Sequence, residues 1–327
     1  YINEVTDTDI TCTVINGGFI SNNKGVNVPD TVLSMPFISE KDYADIKFGC
    51  ENGVDAFALS FVRTAEDVLQ VRKLLAEFNT PNIEIIAKIE SITGFENLKS
   101  ILEVADGIMV ARGDLGNEAP LDMLPIYQKE MIRMAREAGK PVVVATEMLE
   151  SMKKSMRPTR AEVTDVSNAV LDGTDAVMLS GETTLGKYPV EVVRYMAEIC
   201  ATAEKYYDKT FKYNNEGQVG SIAKGVVETA KALNAKAIVV ASITGNSAKK
   251  ISNLKPCCPI IAVCEDQEVA NKLTVCYGVK AVVGKFTNDM DDLVKQNVQL
   301  AKAALNLQSG DKVVITSGLT NSSDETA

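Results

Sequence analysis

Histidine is absent from this chain of 327 residues, and its seven cysteines include no C-x-x-C pair. Without an imidazole, any general acid or base must be Lys, Asp, Glu, Tyr, Cys or a relayed hydroxyl, so Ser-His-Asp and Cys-His mechanisms are excluded. Cys12, Cys50, Cys200, Cys257, Cys258, Cys264 and Cys276 contain one adjacent pair and make a poor disulfide framework and a poor zinc site. They read as small buried thiols in a reducing compartment, which places the protein in the cytoplasm. Basic tracts are missing too, and the formal net charge is −10. That balance argues against nucleic acid or an anionic membrane as partner, and leaves room for a small anionic substrate only if positive charge is focused in one cleft. No apolar run approaches the ~20 residues that cross a bilayer, and no signal-like stretch follows Tyr1.

Two short apolar runs that end in charge organise what is present: IIAKIES at 85–91 and IMVARGDLG at 108–116. A continuous apolar run of this length, with helical pattern on both sides, reads as a strand buried on both faces of a parallel sheet. Ligands of parallel α/β folds sit at the carboxyl ends of the strands. Lys88, Glu90, Arg112 and Asp114 are therefore expected at one mouth. One isolated K-x-E is best read as a solvated salt bridge; two such clusters at matching positions in successive βα units point to a site. Two carboxylates suit a hard cation, because Mg²⁺ is usually held by one or two of them together with substrate phosphates. Gly113 and Gly116 leave backbone N–H groups free to reach an anion at the next helix start.

In chain order, residues 1–28 alternate and turn, and the Asn16-Gly17-Gly18 step predicts a β-hairpin with positive φ at the glycines. This stretch reads as the tail of an all-β module. Ser39, with Asp42 three residues on, opens a helix through a capping box. Strands are expected at 54–61, 83–89, 106–111, 141–145 and 175–180, and helices at 65–78, 94–103, 125–138, 159–171 and 189–206. Five βα units in a row have the rhythm of a (β/α)₈ TIM-type barrel, of which five units are visible. Residues 207–220 are polar and contain Gly and Asn, which suggests a domain boundary. Beyond it, strands at 236–241, 259–263, 279–283 and 312–316 alternate with helices and imply a smaller open α/β sheet.

The blocks SFVRTAEDV (60–68), IIAKIES (85–91), ADGIMVARGDLG (105–116), KPVVVATEMLESM (140–152), PTRAEVTDVSNAVLDGTDAVMLSGET (158–183) and GKYP (186–189), with KGVNVP at 24–29, resemble the pyruvate kinase family. The resemblance implies transfer of a phosphoryl group from phosphoenolpyruvate to ADP, giving pyruvate and ATP, with Mg²⁺ or Mn²⁺ and with K⁺. It implies three domains: the end of a β-rich lid at 1–29, an incomplete barrel at 30–207, and a C-terminal α/β regulatory and assembly domain at 208–327. Glu90 and Asp114 match the family's metal carboxylates, and Lys88 the lysine that neutralises the transferring phosphoryl group. The N–H groups of Gly113 and Asp114, with the Thr146 hydroxyl, would receive the substrate carboxylate. Thr146 also matches the residue implicated in protonating the enolate, and Arg112 reads as a brace behind these groups. Ser60 would lie near the K⁺ site, whose ligands are expected outside this chain, and Arg63 would line the same mouth. Ser180 and Glu182 are expected there as well. Lys24 resembles a lysine near the nucleotide phosphates, with a solvated lysine as the alternative.

In the C-terminal part, Ser242, Thr244, Gly245, Asn246 and Ser247 lie between a strand and a helix and could cradle a phosphate. The family's corresponding loop holds a sugar-phosphate effector; the alternative is an ordinary turn with a Ser or Asn cap. The resemblance further implies a homotetramer, and implies that three barrel strands and most of the lid precede Tyr1, so that the chain by itself would neither close the barrel nor bind K⁺ and ADP normally. Glu147 stands where the family has glutamine and adds negative charge beside the site. The alternative from a different class of enzyme is a metal-dependent barrel lyase or aldolase acting on pyruvate-type enolates.

Overall fold

The computed structural model describes residues 1–22, 25–26, 35–207, 218–287 and 289–317. It divides into two compact units, residues 1–33 and 34–327.

In the first unit β1 (Ile2–Val5) pairs antiparallel with β2 (Ile10–Cys12), Val5 facing Ile10 and Ile2 facing Cys12. The hairpin turn is therefore Thr6 to Asp9, not the Asn16-Gly17-Gly18 step, and neither glycine takes a positive φ. Thr6 closes the turn by itself. Its N–H donates to the Asp9 carbonyl at 2.9 Å, and its hydroxyl accepts from the Asp9 N–H at 3.0 Å. Side-chain bonding of this kind replaces the glycine that a two-residue hairpin needs.

The second unit begins with α1 (Glu40–Glu51), opened by the expected capping box of Ser39 and Asp42. There follow β3 (Ala56–Leu59), α2 (Ala65–Glu77), β4 (Glu84–Ile89), α3 (Ile92–Glu96), α4 (Leu98–Val104) and β5 (Gly107–Ala111). Next come α5 (Arg112–Glu118), α6 (Leu124–Glu137), β6 (Val142–Ala145), α7 (Arg160–Asp172), β7 (Ala176–Met178), α8 (Gly181–Thr184) and α9 (Pro189–Ala203). The single helix expected over 94–103 is two, because Asn97 ends α3 and starts α4 while its side-chain amide donates to the Arg63 carbonyl at 2.9 Å.

β3 to β7 form one parallel sheet in sequential order, the arrangement of successive barrel strands. Its outer face carries Ile85, Ala87, Ile89, Ile108, Val110, Val142 and Val144 into the main core under the helices. Its inner face carries Ile86, Met109 and Ala145 in a small cluster, with Val143 and Met178 against it. β4, β5 and β6 are buried on both faces, which is why they read as unbroken apolar runs, whereas Ala56 and Ala58 of β3 are exposed.

The remaining elements are α10 (Gln218–Ala232), β8 (Ala237–Ala241), α11 (Asn246–Asn253), β9 (Ile260–Cys264), α12 (Gln267–Lys272), β10 (Val279–Val283), α13 (Met290–Leu305) and β11 (Val313–Ser317). Their four strands make a second parallel sheet, ordered β10-β9-β8-β11, with apolar clusters on both faces. α11 and α12 rest on the amino-terminal edge of the first sheet. There Lys255 pairs with Asp175 at 2.5 Å, Lys249 pairs with Glu84, the Asn253 amide donates to the Arg136 carbonyl at 2.8 Å, and the Asn271 amide donates to Asp55 at 3.1 Å. All seven cysteines are free, but Cys12 and Cys257 are exposed, so burial does not account for those two. Among the described residues no helix is long and apolar enough to cross a membrane.

Candidate active site

Alternation along β4 places Glu84, Ile86 and Lys88 on the inner face of the sheet, and Glu90 continues in the same phase past the strand end. Ala58 of β3 faces Ile86, which puts Ser60 opposite Lys88. The Lys88 ammonium donates to Ser60 Oγ at 2.7 Å and pairs with Glu90 Oε1 at 2.8 Å. Glu90 is 1% exposed, and its second oxygen accepts from the Phe61 N–H at 2.6 Å. One buried carboxylate thus ties the end of β3 to the end of β4 through two charge-assisted bonds.

The next strand end adds a second cluster. Arg112 starts α5 directly after β5, and its guanidinium is engaged on several sides. It pairs with Asp165 at 2.6 Å, donates to the Thr146 carbonyl at 2.7 Å and to Met148 Sδ at 2.9 Å, and reaches Gln128 Oε1 at 3.3 Å. Its position is that of a brace, and its ion pair is with Asp165 and not Asp114. Asp114 lies in the first turn of α5 and is partly exposed. The Gly113 N–H donates to Thr146 Oγ1 at 2.7 Å. Two of the groups expected to receive a substrate carboxylate therefore hold each other here.

Thr146 and Glu147 both take positive φ, +72° and +52°, and Phe61 takes +53°. A β-branched residue in that region is strained by roughly 1–3 kcal/mol and persists only where its surroundings over-determine it. For Thr146 the determinants are Arg112 on its carbonyl and Gly113 on its hydroxyl. Glu147 is exposed, and with Glu182 it contributes to holding the Lys153 ammonium above its ordinary value, after the larger effect of Glu150. Glu182 is fully buried and accepts from the Ser180 N–H at 2.8 Å and the Leu149 N–H at 3.1 Å, stapling the loop after β7 to the loop after β6. Sequence reasoning placed Ser180 and Glu182 at the mouth but did not find this staple. It also missed Gln128 and Asp165 as the partners of Arg112, for which only the PTRAEVTDV block gave a signal.

Glu90 and Asp114 place one carboxylate each at adjacent strand ends, and among the described residues no group of three or more His, Cys, Asp or Glu is placed to hold a metal. That donor set fits Mg²⁺ or Mn²⁺, which bind through one or two carboxylates and complete their shell with substrate oxygens and water. Arg63 enters the edge through its backbone, its N–H donating to Asp67 at 2.9 Å. Lys24 lies outside the described residues.

In the second sheet Ser242 is buried and its N–H donates to the Val263 carbonyl at 2.9 Å. Gly245, at φ +85°, is the N-cap residue of α11, and no side chain caps that helix. The Ser or Asn cap of the alternative reading is absent there, and within the loop of Ser242, Thr244, Gly245, Asn246 and Ser247 the N-cap Gly245 is itself buried against Leu273 and Val269. A cavity of about 370 Å³ lined by Asp55, Glu84, Asn271 and Thr274 lies at the opposite, amino-terminal edge and contains none of the expected site residues.

Sequential parallel strands with cations and carboxylates on one carboxyl edge, followed by a second parallel α/β domain, are the frame of a barrel-type enzyme with a charged site at its strand ends. The chain belongs to the pyruvate kinase family: the family models described as "Pyruvate kinase, barrel domain" and "Pyruvate kinase, alpha/beta domain" match residues 1–193 and 220–327. It is 43% identical to a pyruvate kinase of Clostridium acetobutylicum over 97% of this chain and 68% of that protein. It is 44% identical to one of Bacillus licheniformis over 96% of this chain and 56% of that protein. The crystal structure of a pyruvate kinase from Cryptosporidium parvum superposes with a TM-score of 0.85 at 41% identity, covering 90% of this chain and 62% of the other. The family's reaction is phosphoryl transfer between phosphoenolpyruvate and ADP, and the lyase or aldolase alternative finds no support in these relatives.

Proposed function

We propose that the carboxyl edge of β3 to β7 is where this chain takes phosphoenolpyruvate and a divalent cation and passes the phosphoryl group to ADP. The observation that carries the reading is the Lys88 ammonium, held between Ser60 and the buried Glu90 at the end of β4. In that position a compact cation faces the phosphoryl oxygens, where phosphoryl transfer needs positioning and charge neutralisation more than a nucleophile. Mg²⁺ or Mn²⁺ on Glu90 and Asp114 would supply further positive charge for the phosphate oxygens and the enolate. Gly113 and Thr146 would exchange their mutual bond for the substrate carboxylate, and the Thr146 hydroxyl would pass its proton to the enolate carbon as it takes one from water, so that the proton gained by pyruvate comes from solvent. Arg112 keeps Thr146 in place and touches no substrate.

The wider assignments belong to the same reading. K⁺ would sit near Ser60, and a sugar phosphate would sit at the loop before α11. Val190 and Val193 on α9 are exposed apolar residues of the sort that another copy covers in a homotetramer. Seven free thiols agree with a cytoplasmic protein. The domain assignment proposed is lid end 1–29, barrel 30–207, and regulatory and assembly domain 208–327.

A coupled assay for pyruvate and ATP tests the core of this reading. Lys88→Met is expected to lower turnover about 10²- to 10³-fold, the usual cost of removing one preorganised group that stabilises developing charge, while Mn²⁺ binding remains measurable. Turnover of the variant at the unmodified rate would remove Lys88 from the chemistry.

A further inference from the structure

The foot of β4 carries an interaction that the reaction does not use. Glu84 begins the strand on its inner face, the face that also carries Lys88 and leads to Glu90. Its side chain is almost fully buried, and its carboxylate pairs with Lys249 from α11 of the C-terminal domain. Four other polar contacts join the domains at the same edge, Lys255 and the Tyr277 N–H with Asp175, Asn253 with the Arg136 carbonyl and Asn271 with Asp55. Only the Lys249 contact grips a strand whose opposite end presents a proposed substrate-binding ammonium on the same face. A strand is a stiff connector: four residues span about 13 Å at 3.3 Å each, with every backbone group committed to its neighbours. β4 lies between β3 and β5, hydrogen-bonded to both. An axial or rotational displacement of its foot is therefore carried to Lys88, whose 2.7 Å bond to Ser60 on β3 tolerates little sliding.

We infer that Lys249, through its ion pair with Glu84, is a positioning residue that sets the register of β4 and with it the placement of Lys88 for phosphate binding. Lys249 lies three residues after Asn246 in α11, so the inference also gives the C-terminal domain a physical hold on the reacting end of the barrel. It rests on the reading of Lys88 as a phosphate ligand.

The test is calorimetric titration of the full chain with phosphoenolpyruvate in the presence of Mn²⁺, alongside thermal unfolding. The variants are Lys249→Met, Glu84→Gln, the two together, and the charge exchange Lys249→Glu with Glu84→Lys. Asn253→Ala serves as an interdomain control. Remote couplings of this kind change affinity roughly 3- to 30-fold. The expected result is a rise of that size in the dissociation constant for each single variant, no further rise in the double, recovery in the exchange, and no change in Asn253→Ala. Lowered unfolding temperatures with unchanged phosphoenolpyruvate affinity in the single variants would reduce the pair to a docking contact and overturn the inference. A loss that the exchange fails to restore would overturn it also. Failure of the unmodified chain to bind phosphoenolpyruvate would overturn the reading of the site and this inference with it, whereas binding that is indifferent to Lys249 removes the inference alone.

Discussion

Glu90 combines two tasks that sequence reasoning treated as alternatives. It is paired with Lys88, the bland reading of K-x-E, yet it is also buried at a strand end with one oxygen on a backbone N–H. Each carboxylate oxygen has a further lone pair, so neither contact prevents it from meeting a cation. Glu90→Gln keeps the acceptor for the Phe61 N–H, removes the charge and turns an amide toward Lys88. The expected outcome is a loss of at least about tenfold in Mn²⁺ affinity, measured by electron paramagnetic resonance, with little change in the circular dichroism spectrum; mutations among metal ligands and their supports commonly cost 10- to 100-fold. Unchanged Mn²⁺ affinity would put the cation elsewhere. Period-two alternation in β4 was enough to place Lys88 and Glu90 on one side of the sheet. What alternation cannot show is the left-handed backbone of Phe61, Thr146 and Glu147. Those conformations contradict the local preferences of the residues and are imposed by contacts distant in sequence, such as Arg112 on the Thr146 carbonyl.

At the level of elements, the boundaries read from the sequence agree closely where a helix has its own chemical stop or start. Ser39 with Asp42 is one such start. Thr64 with Asp67 and Thr159 with Glu162 make the same reciprocal cap, and both were readable as T-x-x-D and T-x-x-E. The elements that resisted reading are short. α5 and α8 occupy strand ends, and the 3₁₀ turn over Glu150–Lys153 lies in the loop after β6. Each is held by tertiary contacts instead of by apolar periodicity. Glu162 shows how a cap couples to pH. Burial raises its carboxyl, but the Ser151 hydroxyl and N–H, with the Thr159 N–H and hydroxyl, outweigh that and hold it below the ordinary value of 4.5. The unfolded chain therefore binds the proton first as pH falls. The stabilisation is complete above the unfolded value and is lost as pH drops through the lower folded one. Thr159→Ala removes part of that set and should destabilise the chain by about 1 kcal/mol, read as a shift in the urea midpoint at pH 7. The deficit should shrink as pH falls below 4.5 and through the lower folded value, where the carboxyl protonates in both states; a deficit independent of pH would mean that Glu162 does not respond to Thr159.

At the scale of the whole molecule, the two α/β domains of residues 34–327 are joined by two ion pairs and by hydrogen bonds from Asn253, Asn271 and Tyr277, a feature hidden from the sequence because the pairs are far apart along it. Lys255 and Asp175 are 80 residues distant and their side chains are 2% and 5% exposed. Burial lowers the Lys255 ammonium from its ordinary value even though Asp175 pulls it up. Between the lowered folded value and 10.5, the unfolded chain binds more protons than the folded one, so stability should rise with pH across that window. Lys255→Met removes the Lys255 share of that rise and leaves the Asp175 carboxylate with only the N–H groups of Val142 and Tyr277, at 3.0 and 3.2 Å. An unpaired buried charge costs about 3–5 kcal/mol, while removing both members of a pair is often close to neutral. Differential scanning calorimetry of Lys255→Met and of Lys255→Met with Asp175→Asn separates these terms. The single variant should unfold several degrees earlier, with the C-terminal domain leaving the barrel in a transition of its own, and the double should recover most of the loss. If the double is as unstable as the single, the cost lies in the packing of the long Lys255 side chain against Tyr277, 4.8 Å from the ring centre, and the domains are held by that contact and not by charge.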